Sequence, residues 1–430
     1  MARPRYMDND LSRVVLTGLL TIVVFSLVNW SPRIVWNPRL EGGSLVPKNT
    51  SAIVDEDVDE WTRLETSVLT LWRTSPVIYS QDEQGYDPKP RIVTKLVKPK
   101  RETTIESSSS SSSREEITLV THISVNKLNV LLIQLKQWGG PASVAVYLTC
   151  PDDIHRLFAF WRNHEDQKVL SRTMWHVVLE RGPALPNHNE SRPWYPHNIL
   201  RNVALETVES DYFVALDVDF IPSPQSHDRL LNHVKEDSRF RHELRYNKRM
   251  FVLPAFELFP RPGEEYATED MLPMNKSQVI QMVREDKLFP FRKTGRVGHS
   301  FTDFDRWMKL SETESNQSLY YEITFRGSHR REVWEPYVLA YRPGIHRYWE
   351  DFRGYGYDKY SFFIESQFAG YTFAVLHDFF CVHMDHPEVP KDDQVQMKQR
   401  NSRYYEEFKA YLRERYGEQA WLFQPKDKQR

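Results

Sequence analysis

Residues 211–224 read DYFVALDVDFIPSP, and they decide the fold. Tyr212 through Leu216 is an apolar run of strand length, and Asp217 and Asp219 follow at its carboxyl end. In an open α/β sheet that edge is where ligands bind. Alternation along an extended chain puts positions 217 and 219 on one side, so both carboxylates reach a single hard cation while a diphosphate supplies further ligands. Two other readings of the pair exist. The carboxylates could cap a turn before Pro222, or form a phosphatase-type D-x-D with Asp217 as nucleophile. That last motif usually carries Thr two residues after the second Asp, where Ile221 stands.

Working back from this strand, residues 195–209 place Ile199, Leu200, Val203, Ala204, Thr207 and Val208 on one helical stripe, with Asn198, Arg201, Asn202 and Glu206 off it. Further upstream, ITLVTHI (117–123), SVAVYLTC (143–150) and MWHVVLE (174–180) read as strands, separated by helical patterns at 128–138 and 151–164. A β-α-β-α-β order implies a parallel sheet covered by helices. Downstream, 372–383 reads as one strand ending at His383, and 394–416 as an amphipathic helix that packs back on the domain.

The 430 residues carry 57 basic and 59 acidic side chains, a formal charge of −2. No global positive field draws such a chain to nucleic acid. Two cysteines, Cys150 and Cys381, exclude a disulfide scaffold or a multi-cysteine zinc module. Residues 14–30, VVLTGLLTIVVFSLVNW, contain no charge and have the length of a short membrane-spanning helix. The sequence after Trp30 lacks the small residues of a cleavage site, so the segment reads as an uncleaved anchor. Arg3, Arg5 and Arg13 ahead of it keep residues 1–13 cytoplasmic, a type II topology. Residues 31–116, with a serine run at 107–113, read as a largely disordered stem, within which 61–79 could dock as a helix and strand. Sequons at Asn49, Asn189, Asn275 and Asn316 suit a lumenal chain.

YPHNILRNVAL (195–205), DYFVALDVDFIPS (211–223), LPAFE (253–257), WEPYVL (334–339), FRGYGYDK (352–359), GYTFAVL (370–376) and CVHMDHP (381–387) follow one another as in family 49 glycosyltransferases. The chain resembles these LARGE-like enzymes, which include β-1,4-glucuronyltransferases, from about residue 117 to 417. The resemblance implies a GT-A fold, a Rossmann-related mixed α/β sheet with helices on both faces, followed by a short tail at 418–430. It also implies a UDP-sugar donor, a glycan acceptor, Mn²⁺ or another divalent cation, and a Golgi membrane location with the catalytic domain lumenal.

By the same resemblance, Asp217 and Asp219 hold the metal, one of them directly and the other through metal or the donor ribose, with His383 as third ligand and His386 as its neighbouring competitor. Imidazole suits such a mixed oxygen and nitrogen site. Arg201 and Asn202 are donor-binding candidates, and Trp334, Tyr337 and Tyr341 could line the acceptor groove. An inverting transfer needs a carboxylate to take the acceptor proton. Glu365 is favoured over Asp358, Glu350 and Asp351, since Asp358 stands where animal relatives commonly carry Asn. The competing function is a catalytically silent glycan-binding or scaffold protein on the same fold.

Overall fold

The computed structural model describes residues 59–74, 79–82, 85–88, 90–99, 114–164, 167–180, 194–261, 263–264, 267–291, 299, 301–310, 319–323, 334–384 and 391–417. The anchor at 14–30, the serine run, His386, Asn49, Asn189, Asn316 and the 418–430 tail lie outside them. Among the described residues, no helix is long and apolar enough to cross a membrane.

In chain order the elements are α1 (Glu60–Thr74), the hairpin β1 (Tyr79–Asp82) and β2 (Gly85–Pro88), β3 (Arg91–Val97), β4 (Ile117–Ser124), α2 (Leu128–Trp138), β5 (Ala142–Leu148), α3 (Pro151–Asn163), α4 (Lys168–Ser171) and β6 (Thr173–Leu179). There follow α5 (His197–Glu206), β7 (Tyr212–Ala215), β8 (Phe220–Pro222), α6 (Ser226–Glu236), α7 (Ser238–Arg245), β9 (Arg249–Leu253) and β10 (Ala255–Leu258). The remainder is α8 (Lys276–Arg284), β11 (Leu288–Pro290), α9 (Phe304–Lys309), β12 (Tyr320–Glu322), β13 (Tyr337–Tyr341), α10 (Asp358–Phe368), β14 (Thr372–Leu376), β15 (Cys381–Met384) and α11 (Lys391–Tyr416).

A nine-stranded mixed sheet runs in the order β12-β14-β9-β13-β7-β4-β5-β6-β3. The parallel heart, β7-β4-β5-β6, is the predicted one. Its strands are buried on both faces, so alternate residues feed two cores: Val144, Val146 and Leu148 of β5 face one, Ala145 and Tyr147 the other. Helices α2, α3, α6 and α7 contribute to the first core and α5 and α10 to the second, which is how an all-parallel stretch hides its apolar faces.

A second sheet of four strands, β11-β10-β15-β8, leans on the first. Three chain segments cross from the large sheet to the small one: 216–219 between β7 and β8, Pro254 between β9 and β10, and 377–380 between β14 and β15. The predicted single strand 372–383 is thus two strands in two sheets. Hydrogen bonds stitch the crossing, Cys381 N to Pro254 O and Met384 N to Asp219 O, each 2.9 Å.

The stem assignment also needs correction. β3, inside the 31–116 segment, pairs antiparallel with β6 and closes that edge of the sheet. α1 docks on α3, where Trp61 meets Phe158 and Trp161 at 6.4 and 5.4 Å, and buried Glu65 takes His155 and Arg162 at 2.6 and 2.5 Å. The folded unit therefore begins ahead of residue 117. Asn275 is exposed and caps α8 by accepting from Gln278 N. Cys150 and Cys381 are both free, the latter buried.

Candidate active site

The D-V-D segment is a turn, not an extended chain: Phe220 N donates to Asp217 O at 3.0 Å. Gln134 of α2, fully buried, pins it by donating Nε2 to the carbonyls of Asp217 and Phe220, both at 2.8 Å. Alternation does not govern a turn, so the two carboxylates part company. Asp217 faces the large sheet and α5, and Asp219 faces the small sheet.

Asp217 sits in a cage of donors. Lys359 Nζ and Tyr337 OH both donate to Oδ2, at 2.7 and 3.0 Å, while Arg201 Nη2 donates to Oδ1 at 3.1 Å with His122 Nε2 3.5 Å away. Burial would raise the Asp217 pKa, but Lys359 and then Arg201 outweigh it and hold the carboxyl well below the usual range. Burial, reinforced by Asp217, pushes the Tyr337 phenol well up, so it stays a donor. His122, whose Nδ1 lies 3.1 Å from Tyr195 OH, is pushed down by burial against the pull of Asp217. These groups and Leu205, Phe213 and Phe363 line a cavity of about 20 Å³, room for one ordered water, which needs roughly 10–15 Å³.

Asp219 is different. Lys127, just ahead of α2, contacts its Oδ2 at 3.0 Å, and His383 Nε2 lies 3.7 Å from the same oxygen. His383 is on β15, in register with Phe220 on one side and Glu257 of β10 on the other, and its Nδ1 is 3.8 Å from Glu257 Oε1. Among the described residues no group of three His, Cys, Asp or Glu side chains converges as a metal site. The donor set that fits a divalent cation is Asp219 with His383, a carboxylate and an imidazole. Both Asp217 oxygens contact protein donors and the His383 imidazole lies beside Asp219, so the structure sets His383 with Asp219 rather than with Asp217.

The other predicted residues fall into place unevenly. Arg201 is buried, clamped by Asp217, by Asp358 Oδ2 at 2.8 Å and by Asn198 Oδ1 at 2.9 Å. Asn202 is buried and engaged on both sides of its amide by the backbone of Tyr348 and by Glu350. The polar side of α5 is thus interior, because residues about 150 positions later cover it, and Asn202 supports a loop rather than facing a donor. Asp358 is committed to Arg201. Glu365 lies seven positions, roughly 10 Å, further along α10 at 1.5 Å per residue and accepts from Tyr411 and Tyr416 of α11 at 2.8 and 3.1 Å. Among the described contacts it shares no partner with Asp217, so the structure does not bring it to the D-V-D turn. Trp334 is buried in the second core.

The loop that delivers Lys359 has its own support. In FRGYGYDK, Gly354, Gly356 and Tyr357 have φ of 63°, 99° and 65°, and a Cβ on Gly354 would meet Met397 Sδ of α11 at 2.6 Å. Fully buried Asn401 of α11 donates Nδ2 to the carbonyls of Arg353 (2.9 Å), Tyr355 (3.3 Å) and Gly356 (2.8 Å). Arg353 in turn bonds Glu180 at the end of β6 at 2.7 Å. Sequence reasoning missed Lys359, Gln134, His122 and Lys127. Positions 122 and 127 at the carboxyl end of β4 carried a usable signal, since that edge borders the D-V-D strand.

An α/β sheet carrying a buried D-V-D turn at its carboxyl edge defines a class of ligand-binding α/β protein, and comparison with known proteins narrows it. Residues 116–417 match the family model described as "Glycosyl-transferase for dystroglycan", and the chain belongs to that family, glycosyltransferase family 49. Similar proteins include the glycosyltransferase-like protein gnt14 of Dictyostelium discoideum, 28% identical over 63% of this chain and 37% of its own length. The xylosyl- and glucuronyltransferase LARGE2 of Rattus norvegicus is 30% identical over 71% of this chain and 40% of its own length. The chain thus spans well under half the length of these relatives. Among solved structures, S. aureus TarS in complex with UDP-GlcNAc aligns over 66% of this chain and 64% of its own at 14% identity, with a TM-score of 0.32, too distant to transfer any feature.

Proposed function

We propose that the chain is a metal-dependent glycosyltransferase of GT-A architecture that moves a sugar, foremost glucuronic acid, from a UDP-sugar to a glycan hydroxyl with inversion. The observation that carries this reading is the divided D-V-D turn: one carboxylate held ionised in a cage of cations, the other facing an imidazole of the small sheet. The names of the LARGE relatives support the choice of sugar. Asp219 and His383 would hold the divalent cation, and a carboxylate with an imidazole suits Mn²⁺. Charge neutralisation on the departing UDP is what that cation supplies when bound. Lys127, one-quarter exposed beside Asp219, adds a positive charge for the diphosphate. Arg201 and Lys359 fix Asp217, and Gln134 fixes the turn between the two carboxylates.

The membrane reading belongs to the same proposal: 14–30 anchors the chain in the Golgi with residues beyond Trp30 lumenal. A silent glycan-binding protein is the second reading, favoured by the commitment of Asp217 to protein donors. A UDP-release assay across a panel of UDP-sugars, with EDTA and Mn²⁺ add-back, separates the two. Turnover abolished by EDTA and by Asp219→Asn is expected. UDP binding without turnover of any donor overturns the enzyme reading.

A further inference from the structure

The small sheet carries a feature that the D-V-D turn does not use. Cross-strand register sets Phe220 of β8, His383 of β15, Glu257 of β10 and Phe289 of β11 in one row, because paired residues share a face. Phe259, two positions beyond Glu257, continues that face. Along this row the surface opens from interior to solvent: Phe220 is 3% exposed and His383 8%, Phe289 is half-buried, and Phe259 is 44% exposed. Phe259 and Phe289 meet edge to face with ring centroids 5.7 Å apart and planes at 62°. The opposite face of the strands, Phe256, Leu258, Val382 and Met384, is in the core. A partly exposed aromatic pair next to Glu257 on this face suits a ligand with one apolar side and one polar rim.

We propose that Phe259 and Phe289 form an aromatic platform for the acceptor, a neutral pyranose with equatorial substituents. Such a ring presents a flat C–H face, which packs on an aromatic surface, and a rim of hydroxyls. Seated on the platform, its hydroxyl rim meets Glu257, which accepts hydrogen bonds, and from there the row leads to His383 and the Asp219 edge where the donor sits. The Glu257 carboxylate repels a uronic acid at this position, so the platform selects a neutral sugar to receive the transferred one. The inference rests on the transferase reading and adds the acceptor's seat to it.

The test uses methyl β-D-xylopyranoside and methyl β-D-glucopyranoside as probes, with methyl β-D-glucuronide for comparison. Transfer from UDP-glucuronate and saturation-transfer NMR are measured for the wild type and for Phe259→Ala, Phe289→Ala, Phe259→Trp and, as a remote control, Tyr246→Ala. Loss of one ring should raise acceptor KM about 3- to 10-fold, the span of a single aromatic contact, and cut the NMR signal of the neutral glycosides. Phe259→Trp should keep both, and Tyr246→Ala should change neither. The uronide should bind more weakly than the neutral glycosides. Wild-type turnover with unchanged acceptor KM in both Ala variants, or no NMR signal from the neutral glycosides, overturns the platform. Ring-dependent glycoside binding without release of UDP from any donor leaves the platform standing and overturns the transferase reading instead.

Discussion

Replacing Asn401 tests whether α11 organises the site from behind. Its amide reaches three carbonyls and receives Arg353 N at 3.4 Å and Arg400 at 3.1 Å, but only the contacts to Arg353 O and Gly356 O are shorter than 3.0 Å. Asn401→Leu keeps the volume and leaves these two acceptors, the first buried and the second half-buried, unmet. At roughly 1–3 kcal/mol for each, the loss is about 2–4 kcal/mol after partial relaxation. Asn401→Asp should be worse, since it turns carboxylate oxygens toward carbonyls. Equilibrium urea unfolding measures both. The same loop ends on Asp358 and Lys359, so transfer should fall by more than the folded fraction does, because displacements near 1 Å can cost about 100-fold. Both variants within about 0.5 kcal/mol of wild type, with full activity, would refute the reasoning.

Lys359→Met removes the ammonium from Asp217. A carboxyl whose folded pKa is depressed adds stability above its unfolded value, and loses it as pH falls through the folded one. Without Lys359 the folded value rises, so acid unfolding followed by circular dichroism should begin at higher pH than in wild type. Glu365 has the opposite sign: burial raises its pKa against the pull of Tyr411 and Tyr416, so its contribution is present below the ordinary carboxylate range and lost as pH rises through the raised value. Glu365→Gln should flatten that slope in thermal melts and retain transfer activity; loss of kcat with an intact melt would restore its claim to be the base. A chain starting at residue 116 lacks α1 and β3, baring Phe158, Trp161 and the edge of β6, and should aggregate on size-exclusion chromatography where one starting at residue 58 runs as a single species. Equal behaviour of the two would show that the N-terminal elements are dispensable.

The parallel heart was legible because strands buried on both faces are nearly continuous apolar runs, and helices such as 128–138 announce themselves by spacing. The break in 372–383 was missed because Phe379 and Phe380 carry the apolar run on into β15, and the polar pair His377 and Asp378 between them and β14 marks an interruption without saying that the chain changes sheet. β3, RIVTKLV, does not alternate strictly, with a register shift between Val93 and Val97 and Lys95 at φ 55°, and its lysine-rich and serine-rich surroundings masked it further. At the site, Asp217, Asp219 and His383 could be found from type and position. Their partners could not. Arg201 and Asn202 looked like a solvated face because the residues that bury them come about 150 positions later, and nothing local distinguishes Lys359 from the chain's other lysines.

The three crossings between the sheets constrain the chain's length as well as its chemistry. Pro254 bridges β9 and β10 with one residue, and four residues separate β7 from β8. One residue added at either place would shift a strand by one position and turn its side chains to the opposite face. In the first case Glu257 and Phe259 would point into the core, and in the second Asp219 would leave His383. Most surface loops absorb insertions; these crossings cannot, so engineered length variation in this protein has to be placed elsewhere.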